Sequence, residues 1–372
     1  MIRRWFIGSA LVVGMLAVPG ASNAGVCDGS LSASPQPTWS SGAMTDVGST
    51  AKAGRWAVGV RTEFVGADTH EYAISEHWDG VQWVKVQMAY ARAFEPKSLA
   101  VLGDRAWAAG RGSDPSTNGD VGSMIERWNG SSWRRASVPA VLVATSTRVW
   151  AIDGSSRHDI WAGGSTITNG RWRMVMIHWD GSTWTRVPAP LPYQVDTSYG
   201  VVVADIAVDS PDSAWAVGYA NPFGRQSFAM HWDGSGWSIV NPSVPDAPSN
   251  NWLNAIAASD GDVWAVGSAD MTSLVLRWSG TGWTREPSPD AGFDTDDLED
   301  VTVGSSVLVG GSGWNSFPPT PNPEYFRWVE PGGREPLNTT YSLTSLDLTG
   351  GVLLGVGWDA SRKAWLVDGC LA

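Results

Sequence analysis

The chain has 372 residues, 43 of them glycine, and a formal net charge of −12. Only 17% of the residues are charged, and an acidic surface repels phosphate backbones and anionic lipid headgroups. We therefore expect neither nucleic acid nor a membrane as a partner. The abundance of glycine is typical of many short strands joined by tight turns.

The first 24 residues have the pattern of a secretory signal peptide. Arg3 and Arg4 supply the positive start, the run from Phe6 to Val18 is apolar, and small residues lead up to Ala24. The apolar run is too short for a membrane span. We expect cleavage after Ala24 and a secreted mature protein that forms one domain over residues 25–372. The arginine pair also leaves twin-arginine export open beside general secretion.

A tryptophan-rich motif recurs along the mature chain at intervals of about 50 residues, which marks a repeat architecture. Its clearest copy is Trp215-Ala216-Val217-Gly218, followed by His231-Trp232-Asp233-Gly234 and Trp237. Further copies begin at Trp56, Trp107, Trp161 and Trp264, and degenerate ones at Leu308 and Leu354. Each copy has room for four short strands joined by Asp-Gly or Ser-Gly turns. Units of this kind predict an all-β fold, a seven-bladed β-propeller of four-stranded antiparallel blades.

The two cysteines, Cys27 and Cys370, stand at the two ends of the mature chain. The seventh unit lacks a fourth strand, and the segment that begins at Cys27 matches the turn and fourth strand of the other units. We therefore expect the N-terminal strand to complete the last blade and close the ring. Both cysteines then lie at one turn, so the sequence predicts a Cys27–Cys370 disulfide, which secretion permits.

The repeat resembles those of the kelch-like and galactose-oxidase-like propellers, since a period of about 50 residues is typical of kelch. The kelch double glycine occurs as Gly163-Gly164 and Gly310-Gly311. The resemblance implies the architecture alone. Because no tyrosine, cysteine and histidine set is placed to bind copper as in galactose oxidase, we expect no metal and no cofactor, and no catalytic residue is carried over.

Most of the 24 tryptophans occupy repeated positions, and we expect them to pack between adjacent blades. The residue before the third-strand tryptophan is His77, His178 or His231 in three units and arginine in others. That exchange indicates a structural role and not metal ligation. The acidic run from Asp290 to Asp300 suits a solvated loop or a calcium site. Its spacing does not fit a twelve-residue calcium loop, so we expect a solvated loop.

Long irregular connections, at residues 188–200, 241–252, 287–297 and 311–325, are expected to share one face of the fold. Variable loops on a rigid scaffold are where binding usually lies. Aromatic rings stack on sugars, and amides and carboxylates bind hydroxyl groups. The candidate ligand-binding residues are therefore Tyr193, Tyr199, Asn251, Trp252, Asp294, Trp314 and Asn315.

The sequence favours a secreted, monomeric binding module without enzymatic activity, whose partner is a glycan or a secreted or cell-surface protein. The first alternative is a glycan-active or small-molecule enzyme, a hydrolase or lyase. Asp46, Asp205 and Asp300 recur just before the inner apolar positions and could do acid–base work at a central pocket. The second alternative is a structural or assembly protein.

Overall fold

The computed structural model describes residues 31–33, 42–65, 68–114, 119–193, 200–221, 224–244, 250–288, 295–304, 306–316, 319–329, 333–336, 342–349, 352–358 and 364–370. Only the backbone is described at residues 31–33, 64–65, 68–69, 120, 295, 314–316, 319–329, 333–336, 342–343, 358 and 364–370. No helix in these ranges is long and apolar enough to cross a membrane.

The described residues form 28 strands in seven four-stranded antiparallel sheets, which we number from 1 to 7. Sheet 1 holds β2 (Gly42–Thr50), β3 (Gly54–Val65), β4 (Asp68–Trp78) and β5 (Trp83–Val86). Sheet 2 holds β6 (Phe94–Leu102), β7 (Arg105–Ser113), β8 (Asp120–Trp128) and β9 (Trp133–Arg135). Sheet 3 holds β10 (Arg148–Ser156), β11 (Asp159–Thr168), β12 (Arg171–Trp179) and β13 (Trp184–Val187). Sheet 4 holds β14 (Val201–Ser210), β15 (Ser213–Ala220), β16 (Gln226–Trp232) and β17 (Trp237–Ile239).

Sheet 5 holds β18 (Asn251–Ser259), β19 (Asp262–Ala269), β20 (Thr272–Trp278) and β21 (Trp283–Glu286). Sheet 6 holds β22 (Thr295–Val303), β23 (Val307–Ser316), β24 (Pro319–Val329) and β25 (Gly333–Pro336). Sheet 7 holds β26 (Ser342–Thr349), β27 (Val352–Trp358), β28 (Ala364–Cys370) and β1 (Leu31–Ala33). The predicted all-β architecture of four-stranded antiparallel sheets is confirmed.

The first strand of each sheet, its inner strand, contacts the inner strand of the next sheet, and β26 contacts β2. Strands within sheets 1 to 6 follow the chain order. Sheet 7 has the order β1-β28-β27-β26, so the N-terminal strand pairs with the last strand of the chain, and Leu31 lies opposite Gly369.

A β-bulge interrupts each inner strand at the same position and explains the last glycine of the repeated motif. In sheet 4 the bulge lies between Val203 and Asp205, and Gly218 lies opposite Val203. A Cβ atom on Gly218 would lie 2.0 Å from the carbonyl oxygen of Val202. The same close approach occurs at Gly59, Gly110, Gly164, Gly267 and Gly311. Glycine is required here because the bulged strand leaves no room for a side chain.

The repeated tryptophans pack between adjacent sheets, as predicted. The ring centroid of Trp161 in sheet 3 lies 4.9 Å from that of Trp232 and 5.1 Å from that of Trp237, both in sheet 4. Matching trios are Trp56 with Trp128 and Trp133, Trp107 with Trp179 and Trp184, and Trp215 with Trp278 and Trp283. Tilted and edge-on contacts of this kind add to the stabilisation from buried area.

The residue before the third-strand tryptophan stacks on the motif tryptophan of its own sheet. His178 lies 4.5 Å from Trp161, and His231 lies 4.2 Å from Trp215, between ring centroids. The guanidinium of Arg277 stacks in the same way on Trp264, at 5.0 Å. Histidine and arginine exchange in the repeat because either group can lie flat on an indole, which confirms the structural role predicted for this position.

Two segments that the sequence analysis assigned to loops are strands. β22 begins at Thr295, and Asp296 within it is only 4% exposed, so the prediction of a solvated acidic loop is wrong for residues 295–300. Much of the predicted connection 311–325 lies in β23 and β24, which pair from Val307 to Ser316. The acidic composition of residues 295–300 suggested a loop, but a carboxylate of β22 accepts backbone hydrogen bonds instead, as Asp300 does from Val301 and from Leu346 of the next sheet.

Candidate functional site

Partly buried aspartates on the inner strands join consecutive sheets. Asp205 Oδ1 accepts a hydrogen bond from the backbone N–H of Ile206 at 2.8 Å, and Oδ2 accepts one from Ile256 of sheet 5 at 2.9 Å. Equivalent bonds between sheets run from Leu99 to Asp46 at 2.6 Å and from Leu346 to Asp300 at 2.5 Å. Two residues farther along the strand, the Val208 N–H donates to Asp153 at 2.7 Å. The carboxylates considered for catalysis therefore hold one sheet to the next.

The same burial changes how these carboxyl groups titrate. Burial raises the pKa of Asp46 to about 6, of Asp153 to about 7 and of Asp205 to about 8. It also raises the pKa of Asp300 well above its ordinary value. The charges of neighbouring members add to the effect, for example those of Asp46 and Asp153 on Asp205. The four groups form one partly buried set of carboxyl groups whose charges repel one another.

Nearer the start of each inner strand, two positions differ from sheet to sheet. They are the bulge residue and the residue two places before it, and we call them the rim positions. The pairs, in sheet order, are Ala43 and Thr45, Glu95 and Lys97, Arg148 and Trp150, Val202 and Ala204, Trp252 and Asn254, Asp297 and Glu299, and Ser342 and Thr344. These positions therefore depart from the repeat, because their residues range from apolar to polar, charged and aromatic.

The rim positions share a face with the loops that join second and third strands. The backbone N–H of Asn251, at the start of β18, donates to the carbonyl of Arg225 at 3.0 Å, and Asp296 of β22 donates to Met271 at 2.8 Å. Arg225 and Met271 belong to the connections that lead into the third strands of sheets 4 and 5. We call this side of the molecule the loop face.

The rim pairs of sheets 5 and 6 form a polar and aromatic cluster on the loop face. Trp252 Nε1 donates to Asp297 Oδ1 at 3.1 Å, and Asn254 Nδ2 donates to the same oxygen at 2.7 Å. The guanidinium of Arg225 lies 4.8 Å from the ring centroid of Trp252. Trp252 is partly exposed and Arg225 is exposed. With Glu299 these residues make up what we call the Trp252 cluster, to which three consecutive sheets contribute.

The two carboxyl groups of this cluster titrate near neutrality. Burial raises the pKa of Asp297 to about 6, against the hydrogen bonds from Trp252 and Asn254 and the charge of Arg225. Burial raises the pKa of Glu299 to about 7, and the charge of Asp297 raises it further. Ser312 Oγ donates to Glu299 Oε1 at 2.9 Å. The cluster thus joins an aromatic face, a cation and two carboxyl groups that change charge close to physiological pH.

Of the candidate residues, Trp252 lies at the centre of this cluster, whereas Tyr193 and Asn251 meet at Ser227. The Tyr193 hydroxyl donates to the Ser227 carbonyl at 2.5 Å, and Asn251 Oδ1 accepts from the Ser227 N–H at 2.8 Å. Burial raises the pKa of Tyr193 to about 12, and Asn251 is 4% exposed. Both side chains hydrogen-bond to the start of β16; Asn251 is buried, whereas Tyr193 is partly exposed.

The structure describes only the backbone of two of the remaining candidates and leaves the other two outside the described residues. Trp314 and Asn315 lie in β23, with Trp314 opposite Thr295, so its backbone runs two residue pairs from Asp297; their side chains lie outside the described part. Tyr199 and Asp294 also lie outside the described residues. Arg225, Asn254, Asp297 and Glu299 were missed as site residues. Comparing the same offset from the inner apolar position in every unit would have singled out the last three.

No protein-family model matches the chain, and no curated protein matches it. Among solved structures it is similar to the β-propeller domain of the Trilobed protease from Pyrococcus furiosus, with a TM-score of 0.54, 9% identity, and 90% of this chain and 94% of that chain covered. It is also similar to the endosialidase of phage phi92, with a TM-score of 0.53, 12% identity, and coverage of 94% and 70%. The six-bladed fucose-recognising lectin of Aleuria aurantia matches with a TM-score of 0.45, 14% identity, and coverage of 81% and 96%. At such identities the likeness shows the β-propeller fold alone.

Proposed function

We propose that the protein is a secreted, non-enzymatic binding module that recognises a glycan through the Trp252 cluster. The observation that carries the proposal is the partly exposed ring of Trp252, held by Asp297 and flanked by Arg225 and Asn254. An indole offers an apolar face for the C–H groups of a sugar, and convergent polar groups fix its hydroxyls. A protein ligand on the same face is the alternative. The proposal of secretion is supported by the signal-peptide pattern. The resemblance to kelch-like propellers is supported by the repeat period and the double glycines.

Replacing Trp252 with alanine is expected to weaken glycan binding at least about 10-fold, because a central aromatic anchor carries much of the affinity of such a site. The mature protein and the variant are compared on a glycan array, and the Kd of the best ligand is measured by calorimetry. Trp172→Ala is the matched control, since Trp172 is also partly buried and outside the repeated positions. Equal binding by Trp252→Ala, or no glycan bound by the parent protein, would contradict the glycan proposal.

An enzyme remains the second candidate because of one specific observation. Asp297 and Glu299 are carboxyl groups with raised pKa values beside a partly exposed tryptophan, which is the arrangement that acid–base chemistry on a glycan uses. Turnover of a bound glycan that disappears in both Asp297→Asn and Glu299→Gln would establish this candidate in place of the binding module. A purely structural role, the third candidate, predicts neither binding nor turnover.

We further propose that the fold is a closed seven-bladed propeller whose ends are joined by a Cys27–Cys370 disulfide. Support comes from the contact of β26 with β2 and from the pairing of β1 with β28. Cys27 precedes Leu31 by four residues, and Cys370 follows Gly369, the partner of Leu31. The side chains of both cysteines lie outside the described part of the structure.

Reduction of this disulfide is expected to lower the free energy of unfolding by about 4 kcal/mol, because the bond closes a loop of nearly the whole chain in the unfolded state. Urea denaturation with and without reductant measures the effect. Cys27→Ser is expected to be as unstable as the reduced protein and insensitive to reductant. Two free thiols in the secreted protein, counted by mass after alkylation, would contradict the closure.

A further inference from the structure

A cavity of about 540 Å³ lies between sheets 2 and 3, away from the Trp252 cluster. Residues of the turn that joins the third and fourth strands of sheet 3 contribute to its wall. Inner strands begin on the loop face, and antiparallel third strands end on the opposite face. The cavity therefore lies along the outer edge of sheets 2 and 3 and reaches the side of the molecule opposite the proposed glycan site.

Four arginines line this cavity, and three of them, Arg127, Arg134 and Arg186, converge on it, whereas the guanidinium carbon of Arg135 lies over Tyr90, 5.4 Å from its ring centroid. Arg127 lies directly opposite Arg134 in the pairing of β8 with β9. Trp133 packs on Trp56 of sheet 1, and because side chains alternate along a strand, Arg134 points the other way, toward sheet 3. Arg186 follows Trp184 by two residues, and Trp184 packs on Trp107 of sheet 2. Arg186 therefore points back across the same cleft.

A cross-strand pair of like charges is destabilising unless something compensates it. Within the described residues no carboxylate pairs with Arg127, Arg134 or Arg186. Arg127 instead stacks over the indole of Trp107, with its guanidinium carbon 5.2 Å from the ring centroid. Arg134 and Arg186 are both exposed. The chain as a whole carries a net charge of −12, so an uncompensated basic group of this size is a local exception.

Two other sheets pair the residue at this position with an aspartate. In sheet 3 the residue equivalent to Arg127 is His178, which lies 2.6 Å from Asp159, and in sheet 5 Arg277 Nε donates to Asp262 at 3.0 Å. Sheet 2 carries Arg105 where those sheets carry the aspartate. Arg105 pairs with its own neighbour, Asp104, at 3.3 Å, and so brings no negative charge to Arg127.

The three arginine positions are not basic together in the other described clefts. The corresponding sets are His77, Val84 and Arg135 between sheets 1 and 2, His178, Thr185 and Ile239 between sheets 3 and 4, and His231, Ser238 and Arg285 between sheets 4 and 5. The repeat therefore departs from its own pattern at one cleft, and it does so by concentrating positive charge.

We propose that this arginine cleft binds an anionic sugar, a pyranose unit that carries a carboxylate or a sulfate ester. Guanidinium groups bind such oxyanions in a fork of parallel hydrogen bonds. The partly exposed Trp179, which lines the cavity, offers an apolar face, and the hydroxyls of Ser182 and Thr185 offer partners for sugar hydroxyls. The volume lies in the range of sites that hold small ligands.

Calorimetry on the mature protein with two matched pairs of probes tests the proposal. Trigalacturonate is compared with its methyl ester, and a sulfated dextran oligosaccharide with unsulfated dextran of the same length. At least one charged probe is expected to bind at least about 10-fold more tightly than its neutral partner, because each fork is a charge-assisted hydrogen bond. The pair that discriminates tells carboxylate from sulfate, and the affinity is expected to fall with added salt.

The double variant Arg134→Gln with Arg186→Gln is expected to lose at least about 10-fold in affinity for that probe. The control Arg171→Gln removes an exposed arginine at the start of β12, toward the loop face, and is expected to bind as the parent does. Trp252→Ala is expected to bind the charged probe with the same affinity as the parent protein, which separates this site from the proposed glycan site. Failure of both charged probes to bind, equal binding of a charged probe and its neutral partner, or an equal loss in Arg171→Gln would overturn the proposal.

Discussion

Replacing Trp161 with alanine is expected to lower the free energy of unfolding by about 3–5 kcal/mol, the range typical of removing a large buried aromatic side chain. Trp161 is 1% exposed and contacts Trp232 and Trp237 across the boundary between sheets 3 and 4, as well as His178 within its own sheet. Its removal leaves a cavity that two rigid sheets cannot close without losing their mutual register. Urea denaturation followed by tryptophan fluorescence measures the change.

The control is Trp172→Ala, which removes an indole of the same size that is only partly buried and belongs to no trio. It is expected to cost less than half as much. A loss below about 1 kcal/mol in Trp161→Ala, well under the usual cost of such a truncation, would mean that the repeated tryptophans do not hold the sheets together.

The protein is expected to lose stability as the pH rises from about 4 to about 8. The ordinary pKa of these aspartates is 3.8, whereas the folded values are about 6 for Asp46, about 7 for Asp153 and about 8 for Asp205. Between these limits the folded state binds more protons than the unfolded state, so stability falls with increasing pH. A tenfold difference in proton affinity corresponds to about 1.4 kcal/mol, and the set as a whole therefore amounts to several kcal/mol. Denaturation at pH 5 and pH 8, at constant ionic strength, measures it.

His231 acts in the opposite direction, since burial lowers its pKa and its contribution rises with pH. It is one group against eight carboxyl groups whose pKa values are raised by burial, and it does not reverse the sign. The aspartates with a lowered pKa, such as Asp233 at about 2, lose their contribution as the pH falls below the ordinary value of 3.8, which is outside this window.

The variant Asp205→Ala separates the two roles of this carboxyl group. At pH 5 it is expected to cost about 2–4 kcal/mol, because the backbone N–H groups of Ile206 and Ile256 lose their acceptor. At pH 8 the cost is expected to be smaller, because Asp205 is then partly ionised in the parent protein and its desolvated charge already destabilises the folded state. An equal cost at both pH values would contradict the assigned titration, and no cost at either would restore Asp205 as a candidate for catalysis.

The repeated part of the fold could be predicted from the sequence, because each unit shows the same pattern of residues. A tryptophan at one place in a unit says little, but Trp161, Trp215 and their counterparts at a constant interval can only be core positions. The hairpin turns follow from the same logic, since Asp180 Oδ1 accepts from the N–H groups of Ser182 and Thr183 at 2.8 Å each, and Gly181 takes a φ of 96°. Each unit confirms the reading of the others.

The candidate site could not be predicted in the same way, because it consists of departures from the repeat. Arg225, Trp252 and Asp297 come from three sheets and meet only through the way adjacent inner strands are placed. The bulge before Ala255 adds an unpaired residue, Asn254, to the inner strand. The pattern of apolar residues does not predict where a bulge occurs. Asp297 and Glu299 resemble a solvated acidic run in the sequence because their partners are not adjacent to them. Asn254, which donates to Asp297, lies 43 residues earlier in the chain, and Ser312, which donates to Glu299, lies in the next strand.

The separate roles of the repeated tryptophans and of Trp252 are tested by comparing Trp252→Ala and Trp161→Ala side by side for both glycan affinity and free energy of unfolding. We expect Trp252→Ala to lose glycan binding and to keep most of its stability. Trp161→Ala is predicted to lose stability and, at a temperature where it remains folded, to bind as the parent protein does. Loss of binding in Trp161→Ala with full binding in Trp252→Ala would contradict the division between a tryptophan scaffold and a ligand site at the rim.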